Sequence, residues 1–186
     1  MKIVALVGSI RHASYNRKLA EFVKKQYAEQ MDVAIPALQE LPYYDQDIEL
    51  EAPDNVKAFK KAVLDADGVI FVTPEYNHSI SGVLENAIDW LSRVEHPLKG
   101  KPVMILGATM GPLGTVRAQG HLRQILDSPG VAALTMPGDE FLMGTVQNKF
   151  DNAGHLTDQA SIDWLDHCMQ DYLKFVHQVN LTKVTD

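Results

Sequence analysis

The stretch "KIVALVGSIRHASYNRKLAEF", Lys2–Phe22, decides the reading of the fold. It opens on a short continuous apolar run, as in strands buried on both faces. Leu19, Phe22, Val23 and Tyr27 then share one face of a helix whose spacing places its start near Ser14. A buried strand feeding a helix through a short loop is the opening unit of an α/β fold. Its charges run against the helix, because Arg11, Arg17 and Lys18 crowd the N-terminal end and the first acid is Glu21. The macrodipole favours acids at that end. A bound anion reverses the balance, with Ser9, Ser14 and Asn16 as short donors and Arg11 or Arg17 forking onto its oxygens. Cations pointing into solvent would cost only about 0.3–1 kcal/mol each, so energy alone does not decide. Position straight after the first buried strand favours a phosphate.

The alternation continues outward. "GVIFV" (Gly68–Val72), "PVMILGA" (Pro102–Ala108) and "VAALTM" (Val131–Met136) are further apolar runs, and "MDVAI" (Met31–Ile35) alternates like an edge strand. Helical spacing recurs at Val56, Phe59 and Val63, at Leu84, Ile88 and Leu91, at Leu122 and Leu126, and from Ile162 to Val176. Strands alternating with helices predict a doubly wound five-stranded parallel sheet with helices on both faces. Two arrangements fit, the flavodoxin-like order 2-1-3-4-5 and a small Rossmann fold. Both bind ligands beyond the carboxyl ends of the strands, where the winding reverses. That rule gathers Gly8–Asn16, Thr73–Gly82 and Thr109–Val116 into one candidate site. Pro36–Pro53 reads as an acidic loop, and Gly138–Gly154 as irregular with room for a short hairpin. Residues 1–180 read as a single domain, with a frayed tail at Leu181–Asp186.

Composition narrows the function. The 186 residues carry 17 Lys+Arg against 24 Asp+Glu, a net charge of -7, which argues against nonspecific nucleic-acid binding and a cationic membrane surface. Cys168 is the single cysteine, so neither a disulfide framework nor a CxxC site exists. No run reaches membrane-spanning length, and Ile3–Val7 is too short for a signal segment. A cytoplasmic protein with no nucleic-acid or membrane partner is expected. The seven histidines form no HxH or HExxH spacing, so no metal is expected.

The type of phosphate follows by elimination. There is no Walker GxxxxGK[ST], no GxGxxG turn after the first strand, and no cysteine in a phosphatase loop. A mononucleotide phosphate held by Ser, Asn and Arg remains. In "TPEYNHSISGVLENAIDWLSR", Thr73–Arg93, Pro74 stops the strand and Asn77 tolerates a tight turn. Such a turn offers backbone groups to the edge of a flat heterocycle, while Tyr76 shields a face. Val83, Leu84, Ala87, Ile88 and Leu91, widened by Trp90, read either as a helix with a second burial surface, such as another subunit, or as a well-buried central helix. Arg117 opens the helix after the third loop, and neither Asp139 nor Glu140 receives an acid–base role.

At these residues a resemblance enters. "GSIRHASYNRKLA" and "PEYNHSISGVLENAIDWLSR" closely resemble the NADPH-dependent FMN reductase family, particularly bacterial quinone/chromate reductases and small azoreductases. "GATMGPLGTVRAQGHLRQIL" and "EFLMGTVQNKFD" extend the likeness over nearly the whole chain. The resemblance implies a flavodoxin-like fold with bound FMN, in homodimers or homotetramers. It implies that Ser9, Arg11, Ser14, Tyr15 and Asn16 hold the FMN phosphate, that Pro74, Glu75, Tyr76 and Asn77 line the isoalloxazine, and that Thr109 and Gly111 close the third side. It also implies ping-pong turnover, in which flavin N5 accepts hydride from NADPH or NADH. Small-molecule electron acceptors, namely quinones, azo compounds, flavins or chromate, are then reduced. An electron carrier of the flavodoxin type is the alternative. Two positions depart from the family pattern: Glu85 stands where relatives carry Lys, and "GPLGTVR" differs from the commoner glycine-pair third loop.

Overall fold

A computed structural model describes residues 1–182. Six strands form one parallel sheet: β1 (Lys2–Val7), β2 (Asp32–Ala34), β3 (Gly68–Val72), β4 (Pro102–Ala108), β5 (Leu134–Thr135) and β6 (Phe141–Met143). The order is β2-β1-β3-β4-β5, with β6 also pairing with β4. This is the flavodoxin-like arrangement, and the switch point lies between β1 and β3. The helices are α1 (Tyr15–Gln26), α2 (Asp54–Leu64), α3 (Gly82–Leu91), α4 (Val116–Leu126) and α5 (Gln159–Thr182).

Alternation along each strand splits the core into two layers. Ile3, Ala5, Ile70 and Leu106 face α1 and α5, where Leu19, Val23, Leu165 and Met169 cover them. Val4, Leu6, Phe71 and Ile105 face α2, α3 and α4, covered by Phe59, Leu84, Ile88, Leu91 and Leu122.

The fifth strand position departs from the expectation. Instead of one run over Val131–Met136, Ala132 takes a left-handed φ of 47° and only Leu134 and Thr135 pair, against Pro102 and Val103. Pro137 has no N–H to donate, and Gly138 turns the chain at a φ of 83°. β6 then resumes the same edge, parallel to Leu106–Ala108. Gly138–Gly154 therefore holds a parallel strand, and the hairpin-like closure follows it, as an antiparallel bridge between Phe150 and Leu156. The helix α5 includes Leu181 and Thr182, while the rest of the expected frayed tail, 183–186, lies outside the described residues.

Trp90 is also placed differently. It is 0% exposed, donates from Nε1 to the carbonyl of Pro42 at 2.9 Å, and meets the Tyr44 ring edge-on at 5.2 Å. Ala52 and Val56 complete that small cluster. The extra apolar arc of α3 is thus covered by this chain's own 41–56 segment, not by another subunit.

Candidate functional site

The loops after β1, β3 and β4 converge on a cavity of about 200 Å³ at the carboxyl ends of the strands. Nine of the eleven residues expected at the site line it: Ser9, Arg11, Ser14, Tyr15, Asn16, Pro74, Glu75, Tyr76 and Thr109. Asn77 and Gly111 do not, and Ala108 and Met110 are lining residues that the sequence reading missed. Ala108 is the last residue of a strand and Met110 an exposed apolar side chain, so neither carries a chemical signal in sequence.

The first loop is organised by the start of α1. Ser14 is the N-cap, its Oγ accepting from the N–H of Arg17 at 3.1 Å. The N–H groups of Tyr15 and Asn16, at the first two helical positions, have no carbonyl one turn back. Arg11 donates from Nη2 to the Ala13 carbonyl at 2.7 Å, and no acid pairs with it among the described residues. The other two cations turn away. Arg17 pairs with Glu21 at 2.7 Å, and Lys18 lies over the rings of Tyr15 and Phe150, 5.2 and 5.9 Å from their centroids. Asn16 spends its side chain on a backbone clamp: Nδ2 donates to the Ala108 carbonyl at 2.9 Å, and Oδ1 accepts from the Ala108 N–H at 3.0 Å. It ties the first loop to the end of β4.

The second loop is a two-residue turn. Tyr76 and Ser79 exchange backbone hydrogen bonds of 3.0 Å in both directions, and Asn77 and His78 both take positive φ, 53° and 63°. That is the type I′ geometry, which Asn tolerates. The turn leaves Tyr76 half exposed at the cavity rim, with Asn77 at the tip of the hairpin. Glu75 reaches across to α4, where its Oε2 accepts from the N–H groups of Arg117 and Ala118 at 3.0 and 3.1 Å. The N-cap residue of α4, Thr115, makes no side-chain cap, so Glu75 supplies one from another loop. Arg117 is thereby fixed beside the site, 3.7 Å from Glu75 Oε1.

The third loop rests on the segment after β6. Thr109 N–H donates to the Met143 carbonyl at 2.9 Å, and Thr145 N–H to the Gly111 carbonyl at 3.0 Å. Gly114, at a φ of 61°, would bring an added Cβ to 2.5 Å from Leu142 backbone, so this approach requires glycine. Glu85 and Asp89 stand one turn apart on α3. Burial pushes both carboxyls up, the Asp89 charge adds to the rise at Glu85, and His121 opposes it.

Comparison with known proteins agrees with this geometry. The family model described as NADPH-dependent FMN reductase matches residues 1–148. A quinone reductase of Escherichia coli strain K12 is 41% identical over 186 residues, covering 97% of this chain and 98% of that protein. The NADH:(hydroxy)cinnamate reductase subunit CrdA of Vibrio ruber is 38% identical, covering 96% of this chain and 89% of its own. Among solved structures, the flavoenzyme NAD(P)H:(acceptor) oxidoreductase FerB from Paracoccus denitrificans superposes with a TM-score of 0.86 at 28% identity, covering 95% of this chain and 97% of that one. A strand order with its switch point at the cavity and likenesses that cover nearly the whole chain lead to one conclusion: the chain belongs to the NADPH-dependent FMN reductase family.

Proposed function

We propose that this chain is an FMN-dependent NAD(P)H oxidoreductase that reduces quinones and related small acceptors, holding FMN in the cavity at the ends of β1, β3 and β4. The observation that carries the reading is the donor set of that cavity. Two uncapped helical N–H groups, the hydroxyls of Ser9 and Ser14, and Arg11, which pairs with no acid among the described residues, suit a phosphate. Glu75 is the one carboxylate in the lining, and its oxygen is already held by α4. Pro74, Tyr76, Thr109 and Met110 supply the mostly uncharged walls that suit a flat ring. The residues present therefore fit FMN.

When bound, FMN supplies the hydride chemistry between nicotinamide and acceptor. The chain's own residues bind and orient. Arg11 and the start of α1 fix the anionic end, Asn16 holds the first loop against β4, and Glu75 locks the second loop to α4.

Self-association as a homodimer or homotetramer belongs to the same reading. Ile10, Tyr43, Tyr76, Met110 and Leu113, all exposed and apolar, support it. Cytoplasmic location is supported by the single, buried, unpaired Cys168. No helix among the described residues is long and apolar enough to cross a membrane. The test is turnover by the purified protein alone, supplied with FMN, NADPH and a quinone. Steady quinone-dependent NADPH oxidation is expected; FMN binding with no turnover would instead mark an electron carrier.

A further inference from the structure

Among the described residues, the site above leaves one convergent cluster of ligating side chains unused, before β6 and on α5. Asp139 lies in the loop before β6, while His167 and Asp171 stand one turn apart on α5. One ligating atom of each falls within 4.8 Å of the others. His167 Nε2 is 3.7 Å from Asp139 Oδ1 and 3.7 Å from Asp171 Oδ2. Those separations are too long for hydrogen bonds. They lie within a few tenths of an ångström of the spacing, about 3.4 Å, between ligands bonded at 2.0–2.2 Å to a tetrahedral zinc ion.

The surroundings hold each group in place. The His167 ring stacks on Trp164, with centroids 5.0 Å apart and planes at 25°. Trp164 Nε1 donates to the Glu140 carbonyl at 3.0 Å, which pins the residue next to Asp139 against α5. Lys174 takes the other oxygen of Asp171 at 2.7 Å and leaves Oδ2 toward the cluster. Support of this kind, orienting ligands from behind, is what metal sites use to set ligand direction. Cys168 is adjacent in sequence but its side chain is fully buried among the core residues of the sheet layer, so it is not a ligand.

We propose that Asp139, His167 and Asp171 form a binding site for a divalent transition cation of the zinc type, with water completing the coordination. One imidazole and two carboxylates select such an ion over magnesium, which prefers oxygen ligands alone. The bound ion staples the loop before β6 to α5. The site is separate from the cavity: β6 runs parallel to β4, so its Asp139 end is opposite the Met143 end that carries the third loop. The spacing of the histidines gives no hint of it, because one ligand comes from a distant loop and two are carboxylates.

The test titrates tag-free, FMN-loaded, chelator-treated enzyme with zinc at neutral pH by calorimetry, with magnesium as the control. Binding of one zinc per chain is expected, with a rise in Tm of about 5 °C at a hundredfold excess over Kd. His167→Ala and Asp139→Asn should each weaken that binding at least tenfold. Both positions lie away from the core layers, and unchanged Tm without metal shows that the variants fold. No saturable binding in the parent enzyme, or a loss below tenfold in both variants, would overturn the proposal.

Discussion

Arg11 and Arg17 carry the same charge six positions apart, yet their surroundings give them different roles. Arg11 lines the cavity with no acid partner among the described residues, and Arg17 is tied to Glu21 on the outer surface of α1. Arg11→Ala should weaken FMN binding about 10- to 100-fold, the scale of one hydrogen bond to a charged group. Arg17→Ala should leave the affinity unchanged within a factor of two or so, since surface pairs contribute little; fluorescence titration of both variants compares them. Asn16 makes a different prediction. Its replacement by Ala leaves the buried N–H and carbonyl of Ala108 unpaired, which should cost about 1–3 kcal/mol in urea unfolding as well as loosening the site. The sequence made Arg11 and Asn16 look alike, as two donors for one phosphate. Their roles part because Asn16's partner lies 92 positions away, a pairing that local spacing does not reveal.

At the scale of elements, the buried strands β1, β3 and β4 were legible as uninterrupted apolar runs; alternation with helices made the sheet parallel but left two strand orders open, and the family resemblance pointed to the one observed. The fifth position was not legible, because "VAALTM" reads as one run although the left-handed Ala132 shortens the strand within it to Leu134–Thr135, and the Pro137–Gly138 turn moves the rest of that sheet position to β6 beyond it. Nor was the cover of α3, since Trp90 is buried by Leu41, Tyr44 and Ala52 of a loop with no periodicity of its own, together with Val56 at the start of α2. The helix α3 also makes a pH prediction. Glu85 is raised above its ordinary range in the fold, by burial first and then by Asp89. A raised carboxylate penalises the folded state once it is charged, so stability falls as pH rises from the unfolded value through the folded one. Glu85→Gln should therefore raise Tm at about pH 7.5, and the gain should vanish by about pH 3, where the parent side chain is largely protonated in both states. A gain that persists at the acid end would mean that burial of charge is not its source.

For the whole molecule, doubly wound topology explains why residues from three distant loops meet. Parallel strands deliver every loop of one type to the same sheet edge, and the reversal between β1 and β3 opens the crevice there. Most of the candidate site was legible for that reason, whereas Ala108 and Met110 entered only through the path of the backbone. The central claim is that the start of α1, with Arg11, anchors the cofactor by its phosphate. The most direct test compares FMN with riboflavin, which lacks the phosphate, in fluorescence titrations of cofactor-free enzyme. Binding of FMN on the order of 100-fold more tightly is predicted, with the gap narrowed about tenfold in Arg11→Ala. Equal affinities for the two flavins would contradict the account.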